Sequence, residues 1–425
     1  MKTYMCRKIV LMNAIGIAIA ALVIGVEPIR AQAQRSKPAS IKSAPSKPSN
    51  EIKATVPQKA QQPQQAYPTN LKADSTASIP SPARIAEPVP SHGNLSSVSS
   101  MPLLPRSPKR PSTPWKFTSE ERALFTTTGS LWGTVLIPTN ASTTASVPLL
   151  IIVNTSTVYD RNGISEHRRD SSNDARYLAE ALAAEGIAVF RYDTRAVGRS
   201  IGAFVSEWYH DFDRTISDIC GWIDSLRADK RFSTITIMGF SRPNDFGREA
   251  SLAGIIAAWK KQVDGLILVA PESRRWLQYI RQQAFRVYPE HTARVVDSVA
   301  ALLEQGVRPQ LSNKSGIVYD LMRPSLQQYV LSLNKYNPVE EIAKLRIPII
   351  VLHGTLDFSI SDEHAKALVA ANPRATYYAM HNMGMNLKNA TQEASVAWSE
   401  RSKIPVMPKL VDLLANFIYS VGQQP

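Results

Sequence analysis

From Leu131 onward, short apolar runs of strand character alternate with stretches of helical spacing, and few folds accept that order. The strand-like runs are residues 131–137 (LWGTVLI), 147–153 (VPLLIIV), 187–192, 234–240, 265–270, 347–352 and 376–380. Helices are expected over 173–186 and 212–226, from Ser251, over 362–371 and from Lys409. Runs that are apolar throughout imply strands buried on both faces. The expected fold class is therefore α/β, a doubly wound and mostly parallel sheet with helices on each side. Residues of about 273–337 break the alternation with a mainly helical block, expected as a cap over the strand ends. Sheets of this kind bind ligands beyond the C-terminal ends of their strands.

Three such ends carry reactive residue types. The run 234–240 leads into Ser241 at a strand-to-helix turn. The run 347–352 leads into His353-Gly354-Thr355-Leu356-Asp357, and the last run is followed by His381. The order Ser, Asp, His along a doubly wound sheet matches a nucleophile elbow. A serine hydroxyl needs an imidazole to take its proton, and a carboxylate to hold that imidazole in the correct tautomer.

Further stretches carry a resemblance. They are Tyr159-Asp160-Arg161-Asn162-Gly163, the run from Arg191 to Ser200, Arg323-Pro324-Ser325-Leu326-Gln327 leading to Tyr336-Asn337-Pro338, and His353-Gly354 with Asp357. Together they resemble the α/β-hydrolase superfamily, in its serine-aminopeptidase-like branch of capped esterases. The resemblance implies Ser241 as nucleophile, Asp357 as orienting acid and His381, or a residue near it, as base. It also implies an oxyanion hole from the backbone N–H groups of Ser156 and Arg242.

The chain departs from that pattern where the chemistry lies. Relatives read roughly Gly-x-Ser-Glu-Gly-Ser-Leu through the elbow, whereas residues 242–248 (RPNDFGR) stand between Ser241 and Glu249. Relatives place the histidine in Met-Asn-His-x-Leu-Lys, and the corresponding stretch here is Gly384-Met385-Asn386-Leu387-Lys388. Thr155-Ser156-Thr157 stands for Gly-Ser-Gly, and Ala196 for a glycine; neither replacement shares the freedom of glycine at positive φ. The expected function is an exported serine hydrolase that cleaves an ester, less readily an amide, through an acyl-serine. The alternative is a catalytically impaired member kept as a binding or interaction module. His353 is expected to support the strand end beside Asp357, and His364 to cap a helix or face solvent. Arg274 and Arg275, at the start of the cap, read as a solvated face or as a contact for a substrate carboxylate. No metal-ligand spacing and no phosphate loop is present, so neither metal nor nucleotide cofactor is expected.

Ahead of the alternation, Lys2, Arg7 and Lys8 precede an apolar run over 9–26, and Ala31-Gln32-Ala33 offers a small-x-small cleavage pattern. Residues 1–33 read as a signal peptide; an uncleaved anchor is the alternative. The expected location is periplasmic or secreted, or membrane-anchored if cleavage fails. Residues 34–114 carry 15 of the 29 prolines with one Gly and one aromatic residue, Tyr67. Such a stretch cannot bury enough apolar surface to offset the entropy of ordering, so a disordered linker is expected.

Residues 1–114 hold 15 Lys/Arg against four Asp/Glu, leaving 34 against 31, or +3, of the total +14 for residues 115–425. The basicity belongs to the N-terminal quarter, and a nucleic-acid partner is not expected. The linker reads first as a spacer; weak contact with anionic envelope polymers or a membrane surface is the alternative. The partner expected for the domain at 115–425 is a small ester or acyl substrate.

Overall fold

The computed structural model describes residues 110–165, 172–241, 248–312, 316–396 and 398–422. The expected signal peptide, the linker up to residue 109 and the oxyanion candidate Arg242 lie outside the described residues.

Strands β1 (Phe117–Thr126), β2 (Gly129–Pro138) and β3 (Val147–Val153) precede helix α1 (Asp174–Ala184). Strand β4 (Ala188–Tyr192) is followed by α2 (Phe212–Arg227), and β5 (Phe232–Phe240) by α3 (Glu249–Lys261). After β6 (Gly265–Val269) come α4 (Trp276–Val287), α5 (Glu290–Glu304), α6 (Ile317–Met322), α7 (Gln327–Asn334) and the short α8 (Pro338–Ile342). Then follow β7 (Ile349–Gly354), α9 (Glu363–Ala371), β8 (Ala375–Met380), α10 (Ala390–Ser395) and α11 (Pro408–Val421).

The strands form one sheet in the order β1-β2-β4-β3-β5-β6-β7-β8. The β1–β2 and β2–β4 pairs are antiparallel and the others parallel. Alternate side chains of β3 serve two cores. Leu149, Ile151 and Val153 join Ile216 and Ile219 of α2 and Ala253 and Ile256 of α3. Leu150 and Ile152 join Leu178 and Leu182 of α1 and Leu410 and Leu414 of α11. Each fully buried aliphatic side chain contributes roughly 1.5–3 kcal/mol, which is why the central strands read as unbroken apolar runs.

β1 has no counterpart in the apolar pattern. Its sequence, FTSEERALFT, leaves no residue fully buried, because it is an edge strand held to β2 by its backbone. Its acidic side chains work through charge instead. Glu120 pairs with Arg122 and Arg231, and Glu121 with Arg161 and Arg199. Arg110, on the linker side of the expected boundary at 115, is tied down in the same way. It bonds Glu185 just after α1, and Asp412 and Asn416 of α11.

Candidate active site

Parallel strands β5, β6 and β7 lie side by side, and their C-terminal ends bring the predicted nucleophile and acid to one edge of the sheet. Ser241 follows β5 directly, and its N–H donates to the Val269 carbonyl of β6 at 3.2 Å. Helix α3 crosses the strand so closely that a Cβ on Gly239 would meet Ser251 Cα at 2.7 Å and the Ala250 carbonyl oxygen at 2.9 Å. Only glycine permits that approach.

Ser241 is 1% exposed and its hydroxyl is fully engaged. It bonds the Arg248 carbonyl at 2.8 Å and Ser251 Oγ at 2.7 Å, and accepts from Ser251 N at 3.2 Å. Arg248 has left-handed backbone, φ 58°, and its side chain turns back across the strand ends. Nη1 donates to the carbonyls of Ser241 at 3.1 Å and Ala270 at 3.4 Å, while Nη2 donates to Ser359 Oγ at 2.7 Å. Ser359 in turn donates to Asp357 from its hydroxyl and, at 3.0 Å, from its N–H. A guanidinium and a hydroxyl thus connect the predicted nucleophile to the predicted acid.

His381 is exposed, and among the described residues neither Ser241 nor Asp357 hydrogen-bonds to a histidine. The packing of its neighbours accounts for this. Met380 and Met383 are buried in the core, Asn382 N–H donates to Thr355 Oγ1 at 2.9 Å, and Leu356 N–H donates to the Met383 carbonyl at 3.1 Å. A Cβ on Gly354 would lie 2.3 Å from that carbonyl oxygen, so glycine allows the turn to press against the end of β7. His381 sits on the outer side of this pinned turn.

Ser156 is buried, and its N–H is already donated to Asn154 Oδ1 at 3.0 Å. Beside it, Thr155 Oγ1 is buried with no partner among the described residues. Ala196 has φ 74°, a conformation that favours glycine.

His353 is buried, with Nε2 3.4 Å from the Ile360 carbonyl; burial lowers its pKa, against the pull of Asp357. His364 does not simply cap or face solvent. Its Nδ1 lies 2.8 Å from Ser273 Oγ and 3.1 Å from Glu272 Oε1. Burial lowers its pKa although Glu272 opposes the shift. Arg274 is not a free cation either, since it donates to Glu272 from Nε at 2.7 Å and from Nη2 at 2.6 Å. Arg275 donates to the Asn334 and Lys335 carbonyls. No group of three metal-ligating side chains occurs among the described residues. Sequence reasoning missed Arg248, Ser251, Ser359, Glu272 and Ser273; only Arg248 carried a signal, as the end of the inserted run.

The family model for serine aminopeptidase, S33, matches residues 162–383, just over half of the chain. The chain belongs to the serine aminopeptidase S33 family. The fold of this S33 member is that of the α/β-hydrolases, as the motifs imply. Its similar solved structures include Est1E from Butyrivibrio proteoclasticus, at 14% identity and TM-score 0.41 over 66% of this chain and 96% of that one. A proline iminopeptidase of Mycobacterium smegmatis is 14% identical with TM-score 0.44, covering 72% and 99%. Brefeldin A esterase, described as a bacterial homologue of human hormone-sensitive lipase, is 14% identical with TM-score 0.45, covering 74% and 79%. A comparison with curated proteins gave no match.

Proposed function

We propose that this S33-family protein is an exported hydrolase that cleaves a carboxylic ester through an acyl-serine intermediate on Ser241. The observation that carries the reading is the place of Ser241, directly after β5 and against α3, with only β6 between it and the strand end that bears Asp357. Attack by Oγ requires a proton acceptor. In this proposal the bonds that pin the His381 turn, and the bond from Ser156 N–H to Asn154, give way when substrate binds. His381 then takes the proton, Asp357 holds the imidazolium, and the N–H groups of Ser156 and Arg242 receive the oxyanion. The basic and apolar N-terminal run supports export to a periplasmic or extracellular site, with the Pro-rich linker as spacer. A fluorophosphonate probe should label the full-length protein at Ser241, Ser241→Ala should remove the adduct at that position, and short-chain aryl esters should be hydrolysed. Absence of both label and hydrolysis would sink the reading.

The Arg248 bridge and the outward His381 favour a second reading, in which the Ser241 site binds a small acyl compound without turning it over. Such a module would raise its melting temperature with ligand while releasing no product. Ser241-dependent product release excludes it.

A further inference from the structure

A second hydroxyl at the strand ends has what Ser241 lacks, a histidine in contact. Beyond β6, on the strand between those of Ser241 and Asp357, the chain runs Ala270-Pro271-Glu272-Ser273. Ser273 Oγ is 2.8 Å from His364 Nδ1, brought there by α9 after β7. Glu272 Oε1 lies 3.1 Å from the same nitrogen and is itself 5% exposed. The carboxylate is held rigidly: it accepts from Ser273 N at 3.0 Å, from Arg274 N at 2.9 Å and from the Arg274 guanidinium. Ser273 is half-buried, so unlike Ser241 it keeps access to solvent.

We propose that Ser273 and His364 are a second nucleophile–base pair, positioned by Glu272, that hydrolyses neutral carboxylic esters. The inference rests on the serine-hydrolase reading above but not on Ser241. In the first step, from the tautomer that carries its ring hydrogen on Nε2, the Ser273 Oγ–H proton passes to the free Nδ1 of His364 as Oγ bonds to the substrate carbonyl carbon. The new Nδ1–H then faces Glu272 Oε1, which stabilises the imidazolium. Collapse breaks the ester C–O bond, and the departing alcohol takes the proton from Nδ1. Water next adds to acyl-Ser273, gives its proton to Nδ1, and collapse returns that proton to Oγ with release of the acid. Arg274 and Arg275 are committed to Glu272 and to backbone carbonyls, so among the described residues neither of these cations beside the pair is left to select an anionic acyl group.

Besides Glu272, the charges acting on His364 are Arg274, Glu363 of its own helix and Arg248 ahead of α3. Glu272 raises the pKa of His364, so Glu272→Gln should move the acidic limb of the pH–rate profile to lower pH, which a merely structural role would not do. His364→Asn should lower kcat/KM by roughly 100-fold or more.

The deciding experiment maps the fluorophosphonate adduct on the unaltered full-length protein by tryptic mass spectrometry. Ser273 is the only serine in the peptide 262–274, whereas Ser241 lies in 232–248, because the Arg242–Pro243 bond resists trypsin. An adduct on 262–274, alone or with one on 232–248, is the expected result. An adduct on Ser241 alone overturns this inference and leaves the Ser241 hydrolase standing. An adduct on neither serine overturns both.

Discussion

Arg248 donates from Nη1 to the carbonyl of Ser241 at 3.1 Å, and this bond places a guanidinium at the end of β5. Its other nitrogen reaches the Ser359 hydroxyl that holds Asp357. The residue is the last of the seven between Ser241 and Glu249, so the run that separates this chain from its relatives ends in the side chain that bridges the site.

Removing that bridge should open the gap. Arg248→Ala is expected to speed fluorophosphonate labelling at Ser241 by tenfold or more. Loss of its charged hydrogen bonds should cost about 1–3 kcal/mol of stability. Labelling time courses and urea denaturation on the same samples check both outcomes. An unchanged labelling rate would show that Arg248 does not restrict the hydroxyl.

Gly239→Ala tests the approach of α3 to β5. The added Cβ meets backbone at 2.7 Å and 2.9 Å, neither of which can swing aside. A destabilisation of about 1–3 kcal/mol is expected, as for overpacked cores. Denaturant midpoints would measure it.

His210 stacks on Tyr329 at 5.3 Å, and burial pushes its pKa down to about 4 from an ordinary 6.5. Arg195 and Arg214 push it the same way, and Asp211 opposes them. The unfolded chain takes up a proton below pH 6.5 while the folded one does not. The contribution is therefore complete above 6.5 and falls away as pH drops towards about 4, by up to about 3 kcal/mol. His210→Phe should flatten the stability profile in that window, as read from melting temperatures across pH. An unchanged slope would refute the assignment.

Arg110→Ala should free the segment ahead of β1. Glu185 is half-buried and Asp412 exposed, so the expected loss is modest, about 1–2 kcal/mol. Proteolysis should then cut nearer to Trp115 than it does in the unaltered protein. An unchanged cleavage pattern would argue against the anchoring role.

The parallel strands were legible because each is a local apolar run, and a strand in mid-sheet is apolar whatever its partners. Ser241 and Asp357 were legible for the same reason, since a strand end is a local feature that the next few residues inherit. β1 was not, because an edge strand gains its place from backbone pairing and ion pairs with Arg161, Arg199 and Arg231, all distant in sequence. The Ser273–His364 contact spans 91 positions, and no periodicity or spacing rule joins such residues.

Sequence alone thus determined the α/β alternation, the family and the strand ends where chemistry should lie, all properties of short contiguous segments. Tertiary structure decided which side chains fill those ends. It turned His381 outward by burying Met380 and Met383 on either side of it, drew Arg248 across to Ser241 and Ser359, and set His364 between Ser273 and Glu272. Those outcomes depend on how remote segments pack, and packing is settled by the whole core rather than by any stretch of the chain.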